Sequence, residues 1–142
     1  MLNNSLAEQL IFTCVALAML TFFVCFRMLY MRIGEMKQEK IHPQSINQSF
    51  VRSQTMKDSR ASDNYNHLFE MPVLFYVLCG LAIMTQSIPS WMPFAAWGYV
   101  GLRVLHSWIQ CTYNKVMHRF TVFCLSYALL WGMWIGFGIS FL

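Results

Sequence analysis

Charge is what this sequence has least of. Only 11% of its 142 residues are Asp, Glu, Lys or Arg, against 57% hydrophobic and 16% aromatic. That leaves too little polar surface to cover a water-soluble globule of this length, so the composition excludes a soluble fold and implies an integral membrane protein. The cysteines Cys14, Cys25, Cys79, Cys111 and Cys124 include no C-x-x-C pair and no metal-ligand spacing. They read as small apolar packing residues in or at the ends of membrane helices, with Cys111, close to the basic side, as a minor candidate for a catalytic thiol. No metal site is expected, and no disulfide inside lipid on a reducing side. The opening MLNNSLAEQ has no basic n-region, and the first apolar run lacks a small-x-small cleavage site. That run is expected to be a retained helix rather than a signal peptide, and the mature chain to start at its own N-terminus. No internal repeat is convincing.

What is present is apolar length. The runs are Leu10 to Phe26, Leu68 to Met84, Trp91 to Leu102 with an amphipathic continuation to about Thr112, and Phe120 to Leu142. Crossing a bilayer takes roughly 20 residues. The expected fold class is therefore all-α integral membrane, a four-transmembrane-helix bundle in one domain over 1–142, with helices at about 6–32, 62–86, 90–113 and 118–142. Between the first two helices, about 34–59, the chain is polar and without sustained apolar period. Long loops in compact proteins tend to be functional or mobile, so this one is a candidate cover over the face it lies on.

The few cations are distributed unevenly. Arg27, Arg32, Lys37, Lys40, Arg52, Lys57 and Arg60 flank or fill the loop after the first helix, and Lys115 and Arg119 lie between the last two. The turn QSIPSWMP and both termini carry no basic residue. The positive-inside rule then makes the two basic loops cytoplasmic and puts both termini outside the cytoplasm. The net charge of +4 is a topology signal, and no nucleic-acid partner is expected.

Polar residues enter the apolar runs in stripes. Asp63, Asn66, His67 and Glu70 share the spacing of one helix face, and so do Arg103, His106, Ser107 and Gln110, continued by Tyr113 and Asn114. At about 1.5 Å per residue, Glu70 is expected roughly 9 Å and Arg103 roughly 13 Å into the bilayer. A charge in hydrocarbon needs a partner, a wet cavity or a task, so the two are expected to pair. A clip needs only two residues, however. Asn64, Asn66, His67, His106, Gln110 and Arg119 are expected to converge on the same cytoplasmic third of the bundle, which makes a lined site.

These residues resemble the MAPEG family, membrane-associated proteins of eicosanoid and glutathione metabolism, along nearly the whole chain. The carriers are Arg60-Ala61 with Asn64 at the entry to helix 2, the acid followed by Pro72, Arg103-Val-Leu-His106, and Arg119 opening helix 4. The resemblance implies that Arg103, His106 and Arg119 bind glutathione and stabilise its thiolate. It implies that Arg32 contacts a glutathione carboxylate, and that the protein forms homotrimers with sites between subunits. The site it outlines comprises Arg119 as the catalytic group and Arg32, Arg60, Asn64, Asn66, His67, Glu70, Arg103, His106, Gln110 and Tyr113 around glutathione.

This chain departs from the family pattern in register. The family's acid follows the Asn by three residues and precedes the Pro by four, a slot nearer to His67 than to Glu70. Gln110 stands where the family commonly has a tyrosine, which Tyr113 is placed to replace. The function implied is a glutathione-dependent membrane transferase or peroxidase that draws lipophilic electrophiles or hydroperoxides from membrane lipid. Two other readings of the same residues stay open: a polar cluster that only fixes helix packing or binds a lipid headgroup, and a b-type haem held by His67 and His106.

Overall fold

The computed structural model describes residues 2–40, 42, 60–113 and 115–142. Its elements are α1 (Leu2–Gln38), α2 (Arg60–His67), α3 (Met71–Met84), α4 (Met92–Cys111) and α5 (Val116–Ile139). Among the described residues there is no strand, so the fold is all-α. Helix α1 stays helical to Gln38, past the point where a loop is expected to begin. Arg52 and Lys57, expected in that loop, lie outside the described residues.

The second expected helix is two. Residues 68–70 form a turn between α2 and α3. The cause is local: Pro72 occupies the first turn of α3, where its missing N–H costs no hydrogen bond, but it cannot continue a helix arriving from before it. Helix α2 therefore tightens at its end, the Phe69 N–H bonding the Asn66 carbonyl at 2.9 Å, three residues back. Together α2 and α3 still make one apolar stretch, Ser62–Met84, long enough to cross a membrane, as are Asn4–Gln38 and Val116–Ile139.

Helix α4 has the length to cross, 20 residues, but it carries Arg103, His106, Ser107 and Gln110. It is sheltered accordingly, packing on α1, α2 and α5, while α3 packs on α1 and α5. Burial is inverted relative to a soluble protein. Arg103, Asn64, Gln110 and Thr13 are fully buried, while Phe12, Phe23, Phe94 and Trp108 are each more than 60% exposed. Lipid rewards an apolar exterior, and polar side chains must find one another inside. With three such helices and this apolar exterior, the protein is an integral membrane protein.

The apolar core fills the end of the bundle away from the polar stripe. Leu10 and Leu17 of α1, Phe75 and Leu78 of α3, Met92 and Tyr99 of α4, and Leu130 and Met133 of α5 are buried together. The Tyr99 ring stacks on Phe75 at 4.8 Å, closing this core, while its hydroxyl faces the next turn of α4.

Candidate functional site

Tyr99 marks the change from apolar to polar. Its hydroxyl accepts from Arg103 Nε at 3.1 Å, and the guanidinium lies over the rings of Tyr99 and Phe123, its Cζ 5.2 and 5.5 Å from their centroids. Cation–π contact and one hydrogen bond hold the charge on one side. Both terminal nitrogens of Arg103 are buried without a hydrogen-bond partner among the described residues. So are both ring nitrogens of His106 and both amide atoms of Gln110. Buried polar groups are nearly always satisfied, and each one left unpaired costs about 1–3 kcal/mol. Six such atoms on one face of one helix describe a site built for something polar.

Beside them lies a cavity of about 180 Å³, lined by His67, His106, Val116, Arg119, Phe120 and Phe123. The ring centroids of His67 and His106 are 6.0 Å apart, and Phe123 stands 6.3 and 6.0 Å from them. Three helices line it, with α1 tied beside them, for local reasons. The four residues between α4 and α5 make the two helices antiparallel neighbours, which brings Arg119, in the first turn of α5, level with the polar end of α4. The Arg27 guanidinium bonds the Cys111 carbonyl at 2.7 Å, satisfying a helix-end acceptor and tying α1 to the close of α4. Helix α2 is fastened by Asn64, whose side-chain oxygen accepts from Ser107 Oγ at 3.2 Å and whose amide faces Cys111 Sγ at 3.5 Å. Arg32 bonds Ser62 Oγ at 2.9 Å, joining α1 to α2.

Several expected roles change in this light. Glu70 does not pair with Arg103. Its carboxylate accepts from His67 Nδ1 at 2.9 Å, and it is exposed, whereas Arg103 is fully buried against Tyr99. The physical reason is the helix break: the turn at 68–70 takes Glu70 off the inner stripe and folds it back over His67. Asn66 is exposed rather than turned to the cavity. Tyr113 is 52% exposed with its hydroxyl 3.3 Å from His118 Nδ1, and it is not among the residues lining the cavity. Asn64 is a tie between helices, and Arg32 reaches α2 rather than the cavity lining. The Arg60 side chain and Asn114 lie outside the described residues. Cys111 is held by Asn64 and does not line the cavity.

His67 and His106, one from each stripe, line the cavity together with Arg119, while Arg103 and Gln110 lie outside its lining. Val116, Phe120 and Phe123 were not anticipated, although Phe123 follows Arg119 by four residues and so shares its helix face. Among the described residues no group of His, Cys, Asp and Glu has a metal-binding arrangement.

A family model described as MAPEG family matches residues 10–139. No curated protein matches the chain, and no solved structure does. Since the family match runs from the first fully buried residue of α1 to the end of α5, every cavity residue falls within it, and the chain belongs to the MAPEG family, membrane proteins of eicosanoid and glutathione metabolism.

Proposed function

We propose that this protein is a glutathione-dependent membrane transferase or peroxidase acting on lipophilic electrophiles or hydroperoxides, with Arg119 stabilising the thiolate. The observation that carries this reading is the set of six unpartnered buried atoms on Arg103, His106 and Gln110, of which His106 lines a cavity that also has Arg119 on its wall. Arg103, His106 and Gln110 would bind the polar parts of the tripeptide. A free thiol ionises near pH 8.5, and a fixed guanidinium in a partly dry site favours its anion. The same cation stabilises negative charge developing on a cleaved peroxide or an attacked acceptor.

The second substrate has a route from lipid. Val116 and Phe120, 64% and 59% exposed, carry the cavity lining onto the outer face of α5. An apolar acceptor can slide along that face without crossing water. The assembly belonging to this reading is a homotrimer with both termini outside the cytoplasm and the cavity at its cytoplasmic side, the side of Arg27, Lys115 and Arg119.

Calorimetric titration of the detergent-solubilised protein with glutathione is the direct test. We expect saturable binding, and we expect Arg119→Leu to lower glutathione-dependent turnover by roughly 10² or more. Arg119→Lys should keep part of it, since lysine preserves charge but not the planar fork. If Arg119→Leu leaves turnover unchanged, the arginine has no part in the chemistry.

A further inference from the structure

The cavity has a second titratable residue on its wall whose orientation is fixed from outside. His67 closes α2, and its ring lines the cavity 6.0 Å from His106. Its Nδ1 lies 2.9 Å from Glu70 Oε2. A carboxylate only accepts, so the Nδ1 proton points at Glu70, and in the neutral imidazole the lone pair is then on Nε2. Glu70 can do this because of the break at 68–70. It precedes α3 with φ −89° and ψ −91°, makes no side-chain bond to that helix, and bonds His67 instead.

We propose that His67 and Glu70 form a base dyad for the thiol bound in this cavity. His67 Nε2 accepts the thiol proton, Glu70 holds the imidazole in the tautomer that can accept it, and Arg119 stabilises the sulfur anion. The proposal rests on the glutathione reading and adds a specified proton acceptor to it. In the step, the S–H bond breaks, its electron pair stays on sulfur and the proton passes to Nε2. In conjugation, sulfur then forms a C–S bond with an electrophilic carbon, and the leaving group departs with the electrons of the broken bond. The proton held on His67 passes to a basic leaving group, or to solvent where the leaving group is chloride and departs as the anion, which returns the imidazole to its neutral form. His67 is thereby a catalytic residue and Glu70 a positioning residue.

The charged and titratable surroundings of His67 come from each neighbouring element. Asp63 lies one turn earlier on α2, and Glu70 follows on the same segment. Arg103 and His106 belong to α4, Arg119 to α5, and Arg32 of α1 bonds Ser62. Glu70 is the one of these placed on the imidazole Nδ1.

Where the proton goes can be read without turnover. Glutathione is titrated into the purified protein at pH 7, following thiolate absorbance and, by calorimetry in buffers of different ionisation enthalpy, the protons released. With the dyad, thiolate forms and almost no proton reaches the buffer, because His67 keeps it. His67→Gln should bind glutathione within a few-fold of wild type yet require a higher pH for thiolate to appear, and should conjugate chlorodinitrobenzene about 10²-fold more slowly. Glu70→Gln, whose amide oxygen still accepts from Nδ1–H, should keep most of the activity that Glu70→Ala loses. That rescue also decides the matter if His67→Gln does not fold. One proton released per thiolate in the wild type, or an unshifted titration in His67→Gln, overturns the dyad and leaves the glutathione reading standing. Absence of any glutathione binding overturns both.

Discussion

At the scale of single residues, the protein separates polar groups that tie helices from polar groups left open. Asn64 and Ser107 are ties: both are buried, bonded to each other at 3.2 Å, and bridge α2 and α4. Interhelical hydrogen bonds in membranes average only about 0.6 kcal/mol, because the unfolded chain in lipid also finds partners. Stranding a buried hydroxyl costs more, about 1–3 kcal/mol. Asn64→Ala is therefore expected to lose about 1–2 kcal/mol, and adding Ser107→Ala to it should cost little further, since the orphaned group goes too. Folded fraction against denaturing detergent measures both. A loss no greater than that of Asn66→Ala, at an exposed position, would mean that the tie carries no stability.

Arg103 belongs to the second group, and it shows how far a stripe pattern reaches. Its burial among polar neighbours was legible from the spacing with His106 and Gln110. Its partner was not. Spacing gave Glu70 a depth similar to that of Arg103, but depth along a helix says nothing about rotation after a break, and the turn at 68–70 rotates Glu70 away. His67 then inherits the carboxylate.

At the scale of elements, close approach between helices rests on small residues. A Cβ placed on Gly136 of α5 would lie 2.7 and 2.9 Å from two ring carbons of Trp91, the residue before α4. One turn earlier on the same helix, a Cβ on Gly132 would have nothing within 4 Å. The two glycines thus make a matched pair. Gly132→Ala should be neutral or stabilising by up to about 1 kcal/mol, through the helix preference of alanine over glycine. Gly136→Ala gains the same preference but must displace the indole, and overpacking of this kind costs about 1–3 kcal/mol. Opposite shifts in thermal unfolding are the expected result; equal shifts would mean that Trp91 moves aside freely. The division of the second span is also an element-scale event. Pro72 announces a boundary in the sequence, yet the apolar run continues through it from Leu68 to Met84, so hydropathy alone draws one helix there.

At the scale of the whole molecule, the cations organise the chain. The basic ends of α1 and the α4–α5 turn fall at one end of the bundle, where Arg27 reaches Cys111 and Arg32 reaches Ser62. The turn between α3 and α4 has no basic residue. Reporter fusions after Gln38 and after Lys115 should read cytoplasmic, and a fusion at Leu142 should read from the opposite side. A cytoplasmic signal at Leu142 would mean that one of the helices does not cross. That helix would be α4, since it is not among the three stretches apolar enough to span on composition and depends on α1, α2 and α5 to shield its charge.

The sequence by itself determined the medium and the inventory. Scarce charge and long apolar runs require lipid, the cations of two loops set one end apart, and the periodic recurrence of Arg103, His106 and Gln110 puts them on one face whatever surrounds that face. Helical period is a local property, so it survives any packing. Partnership is not local. Whether Glu70 meets Arg103 or His67, whether Asn64 meets Ser107, and whether Tyr113 lines the cavity or turns to His118 depend on helix rotation and on where a helix stops. The tertiary structure decided these by packing α2, α4 and α5 around one cavity and by breaking the second span beside it. A hydrogen bond formed within about 3 Å is sensitive to a rotation that the hydrophobic pattern, satisfied by lipid on every side, leaves undetermined.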